Sequence, residues 1–418
     1  MAKEKITEDE LLARIRDEIT ESLGYGDEIS KQREAAMEYY YGQPFGNEVE
    51  GRSQFVDSTV QDTIEWMKPS LMRVFASGDE MVKFTPHGPE DVQMAEQATD
   101  YVNYVFTKDN PGWEILYSWF TDALLSKNGI VKVWWEEYDE AVREEYKNLT
   151  DDQFNYLVLP EEVEVVEHTA HSGGGEYGAQ PMQEMAVTFH DVVIRRTGKN
   201  GKVKIENVPP SEFLISRESK TIQDARFVCH RVKKTLSELR EMYPDESLDV
   251  EDLTGGDEDM GHLFGESQAR HDFDNSNSFG FNDNAASEDA LKEYWLHESY
   301  LKTDYDNDGI AELRKLCTVG SKVLANDAID SIPFVSITPI KIPHKFFGLS
   351  VADLVMDLQL MKSTLMRNLM DNMYNQNFGR YAVLEGQANL DDLLTQRPGG
   401  VVRVKSPNAV TPLVTPPL

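Results

Sequence analysis

The most informative stretch of this sequence is residues 343–386, PHKFFGLSVADLVMDLQLMKSTLMRNLMDNMYNQNFGRYAVLEG. Its apolar residues recur at spacings of three and four, which predicts one apolar stripe along a long helix. The stripe consists of Leu354, Leu358, Met361, Leu365 and Leu369. Ser350 and Asp353 match a capping box, so the helix is predicted to begin at Val351. If it continues to about Asn377, the helix is on the order of 40 Å long.

The other side of this helix is rich in amide and charged groups. It carries Lys362, Ser363, Arg367, Asn368, Asn372, Asn375 and Gln376. A lone surface helix rarely needs so many amides, whereas a helix packed beside copies of itself, or lining a wet channel, has more use for them. The stripe by itself favours an ordinary helix of a domain core, with an assembly helix as the alternative.

Composition limits both the architecture and the partners. A chain of 418 residues predicts about two to three domains, or one large domain with insertions, and 40% hydrophobic residues suffice for a core. The 74 acidic and 41 basic residues give a formal net charge of −33. Bulk electrostatics therefore disfavour wrapping DNA or binding an anionic membrane. Such a chain could still surround a polyanion without gripping it, although solubility and spacing between copies explain the charge more simply.

Cysteine usage and hydropathy bear on the compartment. The sequence contains only Cys229 and Cys317, so a disulfide framework is not expected and a reducing compartment is favoured. The N-terminal residues follow an amphipathic helix pattern rather than that of a leader, and no run approaches the length of a membrane span. Secretion and membrane spanning are therefore both disfavoured.

The first third of the chain has helical periodicity. Residues 7–42 predict two helices interrupted by Gly-Tyr-Gly-Asp at 24–27. Residues 55–67 predict another helix, which Pro69 ends or kinks before a short helix up to Phe75. Residues 90–127 predict two helices separated by a break at 109–112.

The middle of the chain follows a β pattern. A strand is expected after Asn128-Gly129, and the apolar runs on either side of residues 199–201 predict a hairpin. Thr235 is expected to cap a helix. Strands resume in residues 291–302, 311–320 and 332–342, before the long helix. The fold class is therefore α+β, with N-terminal helices, a β-rich middle and a long helix near the C-terminus.

These patterns divide the chain into five regions. They are an N-terminal helical region at 1–127, a β-rich region at 128–248, an acidic flexible insertion at 249–290, a β region with an acidic turn at 291–345, and the long helix, a strand and a Pro-rich end at 346–418. A sequence that stops in unpacked Thr-Pro-Pro-Leu predicts either further residues in the native gene product or disorder past this point.

An acidic turn gives the sharpest local signal of a ligand. Oxygen ligands at alternate positions, a Gly at the sixth and a carboxylate at the ninth match a calcium loop, and the expected ligands are Asp304, Asp306, Asp308 and Glu312. The twelfth position, where a bidentate Glu belongs, is Lys315, and the flanks predict strands, so this is not an EF-hand. A plain acidic hairpin tip is the favoured alternative.

Other motifs for chemistry are missing. His168, His171 and His190 lie in one β-rich region, and His230 follows Cys229, but no HxxxH, HExxH or paired CxxC spacing supports zinc. Neither phosphate-binding glycine motifs nor a GxSxG elbow is present. The chain is therefore predicted not to be an enzyme, with no cofactor other than the calcium considered above.

Several long stretches, taken in order, carry a resemblance. They are RSQFVDSTVQDTIEWMKPSLMRVF near the N-terminus, then NGIVKVWWEE, PPSEFLISRESKTIQDARFVCHR, YLKTDYDNDGIAELRK and IPFVSITPIKIPHKFFGLSVADLVMDLQLMKSTLMRNLMDNMYNQ. Together they resemble the portal, or head-to-tail connector, protein of tailed bacteriophages of the podovirus type. The resemblance extends from about residue 7 to residue 405.

The resemblance implies a fold and a set of partners. It implies a structural, ring-forming subunit of the virion, typically one of twelve, at a capsid vertex through which double-stranded DNA is packaged and ejected without sequence-specific binding. The partners it implies are the major capsid and scaffolding proteins, the terminase and then tail adaptor proteins, with assembly in the bacterial host cytoplasm and no membrane. It implies wing, stem, clip and crown regions, of which those after the long helix are expected to be partly missing here.

Two functions of other classes stay open at this point. The first is a calcium-dependent binding module built around residues 304–312, and the second is a metal-dependent nuclease that uses scattered carboxylates. Calcium titration addresses the first function, and nuclease assays with magnesium or manganese address the second.

Overall fold

A computed structural model of the chain describes residues 6–76, 78, 80–160, 162–172, 188–244, 248, 289–377, 379–395 and 400–413. The chain divides into two compact units. The first unit comprises residues 1–78, 114–131 and 207–418, and the second comprises residues 79–113 and 132–206. The predicted insertion at 249–290 lies outside the described residues except at its last two positions, and the five-region division stays a prediction.

Eight α-helices occur in the described residues. They are α1 (Glu8–Tyr41), α2 (Thr59–Ala76), α3 (Val92–Tyr104), α4 (Gly112–Ser126), α5 (Asp151–Val158), α6 (Leu236–Met242), α7 (Val351–Asn377) and α8 (Leu390–Leu394). A π-helical turn, Val105–Asp109, follows α3 at the break that the sequence predicted between two helices. None of the described helices combines the length and the apolar character that a membrane crossing requires.

The strands form three sheets. They are β1 (Gly129–Thr150), β2 (Val163–Ser172), β3 (Thr188–Val208), β4 (Phe213–Ile215), β5 (Phe227–Thr235), β6 (Glu293–Thr303), β7 (Glu312–Val319), β8 (Lys322–Ala328), β9 (Phe334–Ile337), β10 (Arg380–Val383) and β11 (Val410–Leu413). Their orders are β4-β5-β6-β7-β8, β2-β3-β1-β9 and β10-β11. Helices and antiparallel strands thus share the chain, and the α+β prediction is confirmed.

The five-stranded sheet is buried on both faces. Successive residues of a strand point to opposite sides, and on β5 Val228 belongs to one hydrophobic cluster while Phe227 and Cys229 belong to another. In the first cluster, the Phe334 ring meets the Tyr300 ring edge to face at 5.6 Å and the Phe213 ring edge to face at 5.4 Å. The second cluster contains residues from the first half of α1. Burial raises the pKa of the Cys229 thiol to about 12.

Four helices of the first unit meet in another cluster. It consists of Ala36, Met37, Val60, Ile64, Leu124, Leu125, Val351 and Ala352. These residues come from the second half of α1, from α2, from α4 and from the first turn of α7. The cluster therefore fixes where the long helix starts relative to the N-terminal helices.

The predicted interruption of the first helix is wrong, because α1 runs through residues 24–27 without a break. Glycine in a helix interior costs about 1 kcal/mol relative to alanine. Packing opposes that cost, since the Tyr25 ring lies 5.4 Å from the Phe347 ring and Ile29 packs on the sheet cluster. A side chain at Gly26 would also meet Leu214 at 3.8 Å.

Of the two predicted effects of Pro69, the end of the helix is wrong, because α2 continues to Ala76, while the kink stays a prediction. Proline removes one backbone donor from a helix. Pro69 is exposed, while Ile64 before it and Met72 after it are buried. Burial on both sides of the proline holds the two halves in one helix.

The predicted hairpin at residues 199–201 does not form, because β3 continues through these residues to Val208. Its hairpin partner is β2, which pairs with residues 188–196. Gly201 is required here by a close approach, since a Cβ atom at this position would lie 2.3 Å from the Trp135 ring. The Asn200-Gly201 pair, which is typical of a turn, therefore lies inside a strand, where its glycine leaves room for the Trp135 ring.

We expect acid to destabilise the first unit through His297. His297 lies opposite Arg231 on β5, and its Nε2 atom is buried without a hydrogen-bond partner among the described residues. Burial, assisted by the positive charge of Arg231, lowers the pKa of His297 to about 4. The unfolded chain therefore binds the extra proton first, and stability falls as the pH drops from the ordinary histidine value towards 4.

The measurement is urea unfolding at several pH values between about 7 and 5. In the His297→Gln variant the pH slope of unfolding free energy should decrease by up to ~1.4 kcal/mol per pH unit, the limit for a single proton. Equal slopes in the two proteins would contradict the assignment to His297.

Candidate assembly surface on helix α7

The long helix begins as the sequence predicted. The Ser350 amide donates to Asp353 Oδ2 at 2.7 Å, and the Asp353 amide donates to Ser350 Oγ at 3.0 Å, which completes the capping box. Lys127, which follows α4, places its Nζ atom 2.5 Å from the same Asp353 carboxylate, and both side chains are largely buried. The first turn of α7 is therefore tied to the end of α4.

One face of α7 buries polar side chains at a spacing of four residues. Gln359 and Ser363 are fully buried. Gln359 accepts a hydrogen bond from the Val60 amide and donates to the Tyr39 carbonyl, both at 2.8 Å. Ser363 accepts from the Asp57 amide at 2.9 Å and donates to its own helix. These side chains satisfy backbone groups of neighbouring segments that would otherwise be buried without partners.

The row continues with Arg367 and Asp371. Arg367 is 8% exposed and donates to the Phe55 carbonyl at 2.7 Å, to Asn47 at 2.7 Å and to Glu48 at 2.5 Å. Asp371 accepts from the Ser53 amide at 2.8 Å. Residues 53–58, which lead into α2, thus run antiparallel along α7.

The Glu48 carboxylate is ionised in this arrangement. Although burial opposes it, hydrogen bonds from backbone amides and from Arg367 hold the pKa of Glu48 below its usual range. The Arg367 guanidinium also lies over the Phe45 ring at 5.5 Å. An ion pair, a carbonyl, an amide oxygen and an aromatic face therefore surround a single guanidinium, which suits its planar set of donors.

The apolar stripe of α7 faces outwards. Leu354 is 60% exposed and Leu365 is 69% exposed, and the remaining stripe residues, together with Met366, Met373 and Tyr374, are exposed as well. At 3.6 residues per turn the stripe lies opposite the row of Gln359 and Ser363. The interpretation of α7 as an ordinary core helix is therefore wrong, since the polar face is the one that packs on its own chain.

The amide residues near the end of α7 border a groove. Its volume is about 880 Å³, and it is lined by residues 50–54, by the last turns of α7 and by Arg380. Asn368, Asn372 and Asn375 are among the lining residues. The predicted polar face thus separates into a buried row and an amide-lined groove.

An exposed apolar stripe of this length is unusual for a subunit that acts alone. Monomeric proteins rarely expose contiguous apolar patches larger than a few hundred Å². A family model described as the Phage SU10 portal protein matches residues 11–418. The chain belongs to this family. No curated protein matches the chain.

The family assignment gives the protein its role. It is a structural subunit of a bacteriophage portal, a component of the virion that serves DNA packaging. The family implies a ring of subunits at a capsid vertex, in contact with the capsid and with DNA. The sequence-based resemblance to portal proteins is confirmed.

The predicted calcium ligands of this portal subunit lie in the turn between β6 and β7. The Asp304 carboxylate accepts hydrogen bonds from the Asp308 amide at 2.9 Å and the Gly309 amide at 2.8 Å, and Asp308 accepts from the Ile310 amide. Glu312 contacts Arg314 at 3.1 Å. Among the described residues no group of three or more potential ligands is placed to hold a metal ion. The calcium site therefore stays a prediction.

The structure brings together two histidines that the sequence left scattered. His168 Nε2 lies 2.8 Å from His190 Nδ1, and His190 Nε2 lies 2.6 Å from the Asp151 carboxylate. Phe154 stacks on both imidazole rings at 4.7 and 4.8 Å. The pairing of β2 with β3 aligns the two histidines on neighbouring positions, which no spacing rule within one segment reveals. The arrangement anchors α5 of the portal subunit to the β2–β3 hairpin.

We expect the Arg367→Leu variant to be strongly destabilised. Removing the guanidinium takes the donor from the Phe55 carbonyl and the counter-ion from Glu48, and one buried acceptor left without a donor typically costs about 1–3 kcal/mol. The control is Lys362→Met, because Lys362 is exposed and donates to Thr59 at the helix surface. That change should cost less than about 1 kcal/mol. Urea denaturation measures both, and comparable losses in the two variants would contradict a specific role of the buried row.

Proposed function

We propose that this portal subunit closes into a ring of about twelve copies by burying the α7 stripe against a neighbouring copy. The observation that carries the proposal is the inverted packing of α7, with Gln359 and Ser363 inside and Leu354 and Leu365 outside. A stable protein interface buries roughly 800 Å² on each partner. The exposed stripe of α7, extended by Met366 and Met373, is the apolar surface available for this burial.

The charge of the subunit suits passage of DNA through the ring. With a net charge of −33 per chain, twelve copies form a strongly acidic assembly. Binding to duplex DNA depends on cationic side chains that displace counterions from the phosphates. An acidic ring repels phosphate instead, so double-stranded DNA slides through it without sequence-specific binding.

Further partners follow from the portal role. We propose that the ring forms in the bacterial host cytoplasm with the major capsid and scaffolding proteins. It then docks the terminase during DNA packaging, and tail adaptor proteins replace the terminase before ejection. The subunit takes no catalytic part in these steps.

Disrupting the stripe should abolish rings without unfolding the subunit. In Leu365→Asp a charge replaces an exposed leucine, so the isolated fold keeps its stability while a buried interface would have to desolvate the carboxylate. Native mass spectrometry with negative-stain imaging should show rings of about a dozen copies for the unaltered chain and monomers for the variant.

The matched control is Leu159→Asp, an equivalent change at a leucine that is 79% exposed and lies outside α7. This control should form rings as the unaltered chain does, and urea denaturation should give the same midpoint for both variants. Rings of Leu365→Asp that match those of the control would contradict the placement of α7, and monomers of the unaltered chain would contradict ring closure.

Ring formation should not depend on calcium. The turn at residues 304–310 is held by hydrogen bonds from backbone amides to Asp304 and Asp308, so the sheet forms without help from an ion. The ring fraction should be equal in millimolar calcium and in excess chelator. Rings that dissociate on chelation would favour the calcium-dependent alternative instead.

A further inference from the structure

Helix α2 exposes a second apolar face. Trp66 is 82% exposed and Val74 is 74% exposed, and Met67 is exposed beside them. The buried residues of α2, Ile64 among them, lie on the opposite side of the helix. Helices α2 and α7 belong to the same compact unit, so one unit of the chain presents two apolar helix faces.

A closed ring requires two different surfaces on each subunit. Cyclic symmetry beyond a dimer is built from head-to-tail contacts, in which one patch of a subunit meets a different patch of the next. We propose that the α2 face formed by Trp66, Met67 and Val74 receives the α7 stripe of the neighbouring copy. This inference rests on the proposed function, since it names the second half of the same interface.

The shape of the α2 face fits a row of leucines. Trp66, Ser70 and Val74 follow one another at four-residue spacing, which forms a ridge along the helix. Ser70, the small member, leaves a gap between two large side chains. A leucine of the α7 stripe fills a gap of this size. At 1.5 Å per residue, the α2 face from Trp66 to Val74 extends about 12 Å and the stripe from Leu354 to Leu369 extends about 22 Å, so the α2 face covers about half of the stripe.

Charge complementarity supports the same pairing. Arg73 lies on α2 next to Val74, and Asp357 lies on α7 within one turn of Leu354, Leu358 and Met361. Both side chains are exposed, and neither has an ion-pair partner among the residues that the structure describes. In a chain with 74 acidic and 41 basic residues, an exposed arginine without such a partner on an apolar face is a specific feature. Opposite charges that flank two apolar faces fix the register of an interface.

Charge reversal tests the pairing. In Arg73→Asp two like charges meet across the interface, and in Asp357→Arg two cations meet. Each single variant should raise the subunit concentration at half-assembly by about tenfold or more, because like charges are destabilising when buried together. The double variant restores opposite charges and should recover most of the ring fraction. Lys199→Asp, at an exposed lysine outside α2 and α7, serves as the control for net charge.

Cysteine cross-linking tests the geometry. Cys229 and Cys317 are both buried, so introduced cysteines are the accessible ones. With Trp66→Cys and Leu365→Cys in one chain, mild oxidation of rings should give a ladder of covalent multimers, because each copy is linked to the next. Either single variant lacks the second cysteine of the pair and should give no ladder.

The outcomes separate the two proposals. The α2 pairing is overturned if the unaltered chain forms rings, the cysteine pair gives no ladder, and the effects of the two charge reversals on assembly are additive. Ring closure through α7 stands in that case. Failure of the unaltered chain to form rings overturns the proposed function and the pairing with it. Rescue by the double reversal together with a ladder supports both.

Discussion

The row of polar side chains that α7 turns towards its own chain is the interaction on which the rest of the structure depends. Residues 43–58 form no helix or strand, so their amides and carbonyls need partners from elsewhere. Ser363, Arg367 and Asp371 provide these partners one helical turn apart. Because this face of the helix is committed to hydrogen bonding, the leucines and methionines are left on the outside.

This arrangement reverses the usual division between core and surface. A helix that buries its apolar face exposes little apolar area to water once its domain has folded. A helix that hides its polar face is satisfied within the chain but still exposes apolar area to water. The driving force for that area to leave water is the same hydrophobic effect that folds the domain. In the ring proposed above it acts between copies, and folding and assembly then use different sides of one helix.

Much of the architecture was predictable from the sequence, for reasons that are local. The capping box at Ser350 and the capping box at Thr235 each lie within four residues and fixed the start of a helix. The strands after residue 128 and from residue 293 follow from β-branched and aromatic runs. The errors arose where distant contacts outweigh local preference, as with Tyr25 beside Phe347 or Gly201 beneath Trp135.

The candidate surface was predictable in composition and not in orientation. Periodicity located the stripe, but it does not reveal which face packs inwards, since both the core and the assembly interpretations need the same leucines. The missed signal is the polar row itself. Gln359 and Asp371 extend Ser363 and Arg367 to four polar residues at constant spacing, a pattern that an ordinary solvated face does not need.

The unbroken first helix has a mechanical consequence. At 34 residues α1 is about 50 Å long. Leu11 and Ile15 anchor its first half to the five-stranded sheet, while Ala36 and Met37 anchor its second half to the cluster that seats α7. A force applied to the five-stranded sheet is therefore transmitted along α1 to the start of α7, so that the sheet and the start of α7 move together.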